Sequence, residues 1–304
     1  MFTLKLVRFV RGSAAMHVLV GLGMLVGLAG GAVAQNDPVE ALRTKYVSLQ
    51  GALQHNAFNQ PVVLESFELQ NQVKGEVFAE IDYAFGAVSD GLRSPDHWCD
   101  IFVLHINTKY CHAVTDSAGS VLVVRIGKKT PEELSGVARV DFKFNVTAAT
   151  QQYQAVTLTA ADGPMGTHDY RIVLELLSLG DGRTFMHLTY SYSSGFVGRL
   201  AMQAYLATVG HGKLGFTVTG QRADGQPNYI GGLRGVVERN TMRYYLAIDS
   251  FLGAANLPPA QQTESRLQSW FAATERYALQ LHEVSQQDYM AMKHDEIARQ
   301  QVLR

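Results

Sequence analysis

The chain has 304 residues, 47% of them hydrophobic and 17% charged, with a formal net charge of -1. That balance excludes a disordered chain. It also argues against a nucleic-acid partner, because phosphate binding needs concentrated Lys and Arg.

At the start, Lys5, Arg8 and Arg11 precede an apolar stretch over 16–33 that closes on Ala32-Val33-Ala34. A basic start, an apolar run and a small-x-small ending make up a secretory signal, so cleavage is expected after Ala34 and the remainder is expected in the periplasm. A retained membrane anchor is the rival, since the run approaches the roughly 18 to 20 residues that span a bilayer. About 270 residues follow, enough for one large domain or two small ones. Cys99 and Cys111 are the only cysteines, and in an oxidising compartment a disulfide between them is expected. Two buried thiols or a metal pair are the alternatives; His97, His105 and His112 lie nearby without a recognised ligand spacing, so no metal site is assigned.

In chain order, Val39, Leu42, Tyr46, Leu49 and Leu53 fall on one face of a helix over 38–55. From Val73 to Tyr83 apolar and polar residues alternate, the period of a strand with one buried face. Two short helices follow, at 85–92 and from the Ser94-Pro95-Asp96 cap through Phe102. Six β-rich runs come next, at 104–112, 120–127, 137–147, 153–160, 168–179 and 183–193. Gly- and Asp-rich punctuation such as Gly180-Asp181-Gly182 separates several of them, which implies antiparallel hairpins. The strongest helix covers 233–252, with Arg234 and Glu238 expected as an i,i+4 ion pair. A last helix follows Pro258-Pro259 over 262–285, and the tail from Asp288 is polar and expected to fray.

This order, with 73–83 as first strand and Trp98 to Phe102 in the second short helix, resembles the helix-grip fold of the START and polyketide-cyclase (SRPBCC) superfamily. The resemblance covers about 73–252 and implies an α+β fold in which a curved antiparallel sheet of about seven strands wraps a long C-terminal helix around an apolar cavity. Trp98-Cys99-Asp100-Ile101 and the 238–245 phrase also look like those of proteobacterial exported proteins. The expected division is a signal at 1–34, a helix and linker at 35–72, the helix-grip domain at 73–253 with an insert at 195–232, and a helical extension at 254–304.

Nucleophile elbows, phosphate loops, zincin pairs and Cys/His dyads are all absent from the sequence, so no catalytic residue is assigned and no cofactor is required. Three features point to a ligand. The segment 196–209 is apolar nearly all round and bracketed by glycines, which suits a mobile lid or a membrane-surface contact; an ordinary buried helix is the plain alternative. Arg239 and Arg243 are like charges one turn apart, which an anionic head group or a distant carboxylate would reconcile. Tyr190 and Tyr192, with Phe142 and Phe144 on a neighbouring strand, Arg125 nearby, Tyr205 in the insert and Tyr244 on the long helix, are candidates to line a pocket. The expected function is carriage of a hydrophobic small molecule or lipid. Two alternatives stand beside it: a cavity enzyme using His105, His187 and Glu175 or Asp169, and a structural partner of an envelope complex.

Overall fold

The computed structural model describes residues 37–208, 210 and 212–302, without the side chains of 197, 201 and 205. The signal-like segment 1–34 and its cleavage point lie outside those residues. No helix among the described residues is long and apolar enough to cross a membrane.

Helix α1 (Pro38–Gln54) starts where Asp37 Oδ1 accepts from the Val39 amide at 3.0 Å, with Pro38 in the first turn. It is followed by strands β1 (Val62–Glu68) and β2 (Gln72–Ile81), and then by helices α2 (Phe85–Leu92) and α3 (Pro95–Leu104). Six strands come next: β3 (Thr108–Asp116), β4 (Gly119–Ile126), β5 (Ala138–Ala149), β6 (Tyr153–Asp162), β7 (Thr167–Ser178) and β8 (Thr184–Ser194). The insert holds helix α4 (Phe196–Ala207) and a small hairpin of β9 (Val218–Gln221) and β10 (Pro227–Tyr229). Helices α5 (Gly232–Gly253), α6 (Pro259–Glu275), α7 (Ala278–Leu281) and α8 (Gln286–Val302) complete the chain.

The eight strands form one antiparallel sheet in the order β1-β2-β8-β7-β6-β5-β4-β3, so chain neighbours pair by hairpin except where β2 meets β8. Period-two alternation gives each strand one side chain in and one out. The inner set, including Val77, Phe142, Leu158, Ile172, Leu188 and Tyr190, packs with α3 and α5 in the main core. The outer set, including Phe78, Tyr153 and Phe185, is covered by Leu42, Leu49 and Leu53 of α1. The sheet and its long helix thus form the expected helix-grip α+β arrangement, with α6 and α8 as a further layer. Gly75 is where the grip closes: a Cβ there would overlap the Thr241 hydroxyl of α5 and come within 3.3 Å of Val237 O.

Several expectations are corrected. An eighth strand, β1, lies in what the sequence suggested was a linker. The tail from Asp288 does not fray but forms α8, whose Tyr289, Met292, Lys293, Glu296 and Gln300 are buried. The helix expected over 262–285 breaks at Arg276 and Tyr277. Glu238 does not serve Arg234: it accepts from Ser66 Oγ at 2.5 Å, from Thr217 Oγ1 at 2.6 Å, and from the Phe216 and Thr217 amides at 2.5 and 2.9 Å. Backbone amides offer fixed donors at a helix flank, and they win over a flexible guanidinium. Cys99 of α3 and Cys111 of β3 form a disulfide with Cα atoms 5.1 Å apart.

Candidate ligand site between the sheet and α5

The inner face of β5, β7 and β8 meets α3 and α5 through an unbroken set of rings. Phe102 contacts Phe142 and Tyr244 at centroid distances of 5.6 and 5.5 Å, Tyr244 contacts Tyr190 at 5.3 Å, and Tyr190 contacts Tyr192 at 5.8 Å. Tyr170 stacks on Tyr192 at 5.3 Å, and its hydroxyl bonds Thr167 Oγ1 at 2.6 Å. His105, at the far end of this row, stacks on Tyr244 at 4.9 Å. Burial pushes the phenols of Tyr190, Tyr192 and Tyr244 upward, so all three stay protonated.

Among the described residues, the Tyr192 hydroxyl and Nε2 of His105 are buried in this interior without a hydrogen bond. The Asn107 amide donates to His105 Nδ1 at 3.2 Å, which leaves the ring proton on Nε2. Burial holds the imidazole well below its usual pKa, and the charges of Arg243, Lys293, Lys129 and Lys109 add to the effect. His105 is therefore a neutral N–H donor aimed into an aromatic interior.

The candidate residues divide. Phe142, Phe144, Tyr190, Tyr192 and Tyr244 are brought together on the inner face. Arg125 is not among them, because Leu122 and Val124 point inward on β4 and Arg125, odd in that alternation, points away. Arg239 donates to Leu214 O at 3.1 Å, and Arg243 bonds Glu283 Oε1 at 2.7 Å, so a distant carboxylate reconciles Arg243. The Tyr205 side chain lies outside the described residues. His105, suggested by the sequence only as an acid–base group for the enzyme alternative, ends α3 and joins the ring row instead, stacked on Tyr244.

Of the acid–base set suggested for an enzyme, His187 and Glu175 meet, while His105 and Asp169 lie apart from them. His187 faces the outer side of the sheet, where Nδ1 meets Glu175 Oε2 at 2.8 Å and Nε2 meets Glu76 Oε1 at 2.9 Å, while His105 lies inside. Asp169 is bonded to His168. A cleft of about 490 Å³, open to solvent, lies beyond the β7–β8 turn between Phe85, Ser89, Gly182 and Arg183. Its cations are already paired, Arg93 with Asp90 and Arg183 with Asp181, each at 2.6 Å. Among the described residues no group of His, Cys, Asp or Glu is placed to hold a metal ion.

Helix α4 crosses the end of the sheet nearest Tyr192. A Cβ on Gly198 would press into the backbone at Gly166, and Arg199 bonds Gln70 O and Asn71 Oδ1 in the β1–β2 turn. Around these contacts Leu69, Met165, Phe196 and Leu200 expose apolar side chains from three separate segments, with Phe196 83% and Leu69 68% exposed.

No protein family matches the sequence, and no curated protein does. The chain is similar in structure to norcoclaurine synthase from Thalictrum flavum (13% identity, 49% of this chain and 78% of that chain, TM-score 0.32). Similar figures hold for Zhui aromatase/cyclase from Streptomyces sp. R1128 (14%, 45% and 85%, 0.32) and for Ara h 8.0201 (10%, 63% and 99%, 0.36). None of these likenesses assigns a reaction or a ligand to this chain.

Proposed function

We propose that the protein binds and carries a hydrophobic ligand, a lipid or isoprenoid-like molecule, in the periplasm, between the inner face of the sheet and α5. The observation that carries this is the Tyr192 hydroxyl, buried in an aromatic interior with no hydrogen-bond partner. Native interiors pair their polar groups, because an unpaired one costs about 1 to 3 kcal/mol, and sites for apolar ligands combine apolar walls with a few such groups. Admission of the ligand requires the rings of Tyr190, Tyr192 and Tyr244 to part, since they touch in this structure. Helix α4, with apolar residues outward at the Tyr192 end, is the entry element and meets the membrane surface there.

Tyr192→Phe tests the proposal. The variant should unfold at higher urea concentration, by about 1 kcal/mol or more, while binding an extracted lipid pool more weakly. Unchanged stability together with unchanged lipid binding would remove the hydroxyl from the account.

A further inference from the structure

Five basic side chains share two carboxylates at the His105 end of the interior. Lys129, Lys213 and Arg243 converge on Glu283, at 2.5, 2.7 and 2.7 Å. Lys109 and Lys293 converge on Glu296, at 3.0 and 2.7 Å, and both lysines are fully buried. Buried charges ordinarily occur in matched pairs, since an uncompensated cation in a low-dielectric interior is costly. Here five cations face two carboxylates, they come from five separate parts of the chain with Lys129 and Lys213 only partly buried, and His105 adds an N–H donor with no acceptor beside them.

We propose that this end of the interior receives the carboxylate head of a single-chain amphiphile, which accepts from His105 Nε2–H and shares Lys129 and Arg243 with Glu283, while its tail lies along Tyr244, Tyr190 and Tyr192. The proposal rests on the carrier reading above and names the chemical class of its ligand. A carboxylate fits better than a larger anion because the site already holds one, Glu283, in contact with three cations. The tail direction follows from the ring row, which runs from His105 through Tyr244 to Tyr190 and Tyr192. Glu283 lies in the link between α7 and α8, beside a crevice of only about 10 Å³ among Ile106, Trp270 and Tyr289, so the head group reaches His105 from within the sheet and not through that crevice.

The test compares cis-parinaric acid with its alcohol, titrated by fluorescence into the full chain at neutral pH. The acid should bind at least tenfold more tightly than the alcohol. In Lys129→Ala/Arg243→Ala, which removes both cations assigned to the head group, that ratio should fall to about one. Equal binding of acid and alcohol to the wild-type protein overturns the head-group assignment and leaves the carrier reading standing. An acid preference that survives the double substitution also overturns it, because the anion then sits elsewhere. Binding of neither probe overturns the carrier reading itself. Because the wild-type ratio decides the first point, the inference stays open to refutation even if the double variant does not fold.

Discussion

Ser66 on β1 and Glu238 on α5, 172 residues apart in sequence, are joined by a hydrogen bond of 2.5 Å. The same carboxylate takes the Phe216 and Thr217 amides, so one buried side chain fastens the edge of the sheet, the long helix and the segment leading away from α4. Removing it leaves several buried donors unpaired at once.

Glu238→Ala should therefore lower stability by about 3 kcal/mol or more, read as a fall in the urea midpoint. Limited proteolysis should then cut first near Phe216 and Thr217, which lose their anchor. A variant as stable as the wild type would show that the loop holds by other means.

Gly75 and Thr241 mark the closest approach of β2 to α5. Gly75→Val should destabilise by about 2 kcal/mol or more, since neither backbone can withdraw without opening the core. Thr241→Ala should relieve part of that loss, so a double-mutant cycle should give a favourable coupling between the two substitutions. Additive effects would place the strain elsewhere.

The cluster around His187 gives a pH dependence of defined sign. Burial alone would lower the His187 pKa, but Glu175 and Glu76 outweigh it and raise it above the usual value of 6.5. Burial alone would raise Glu76, but His187 and Lys74 hold it down to about 2. The histidine's contribution is complete below 6.5 and is lost as pH rises through its raised pKa. That of Glu76 is complete above 4.5 and is lost as pH falls toward about 2. The stability advantage of the wild type over His187→Gln should thus be largest between about pH 4.5 and 6.5 and should shrink as pH rises through the raised pKa of His187. A constant difference through that rise in urea unfolding would mean that His187 is not charged in the fold.

Cys99 and Cys111 close a loop with a sequence separation of 12. Replacing both by Ser should cost about 3 kcal/mol by the loop-entropy argument, and adding reductant to the wild type should reproduce the loss. No response to reductant would mean that the bridge contributes nothing to stability.

Much of this architecture is legible in the residues. Alternation from Val73 onward, hairpin punctuation and the long helix near 233–252 give the sheet and its rod, and the ring-bearing positions of β5 and β8 are visible as inward faces. Strand β1 escapes because Val62-Val63-Leu64 is a short apolar run that lacks clean alternation. Helix α8 escapes because Lys293 and Glu296, two of its five buried positions, are charged, and a period count that looks for apolar residues passes over them. Their burial depends on Lys109, almost two hundred residues away. The same holds for Arg243: a partner 40 positions on, in a short link between helices, has no local signature. Local pattern reports which face a side chain takes. It does not report which distant charge meets it there.

The central claim is that the space between the sheet and α5 takes up a hydrophobic molecule. Native mass spectrometry of the full chain, purified without added lipid, tests this most directly. The account predicts a discrete added mass that organic solvent releases as a single-chain lipid species, reduced in Tyr192→Phe. The bare polypeptide mass alone, under conditions that leave lipid on an established carrier, would contradict it.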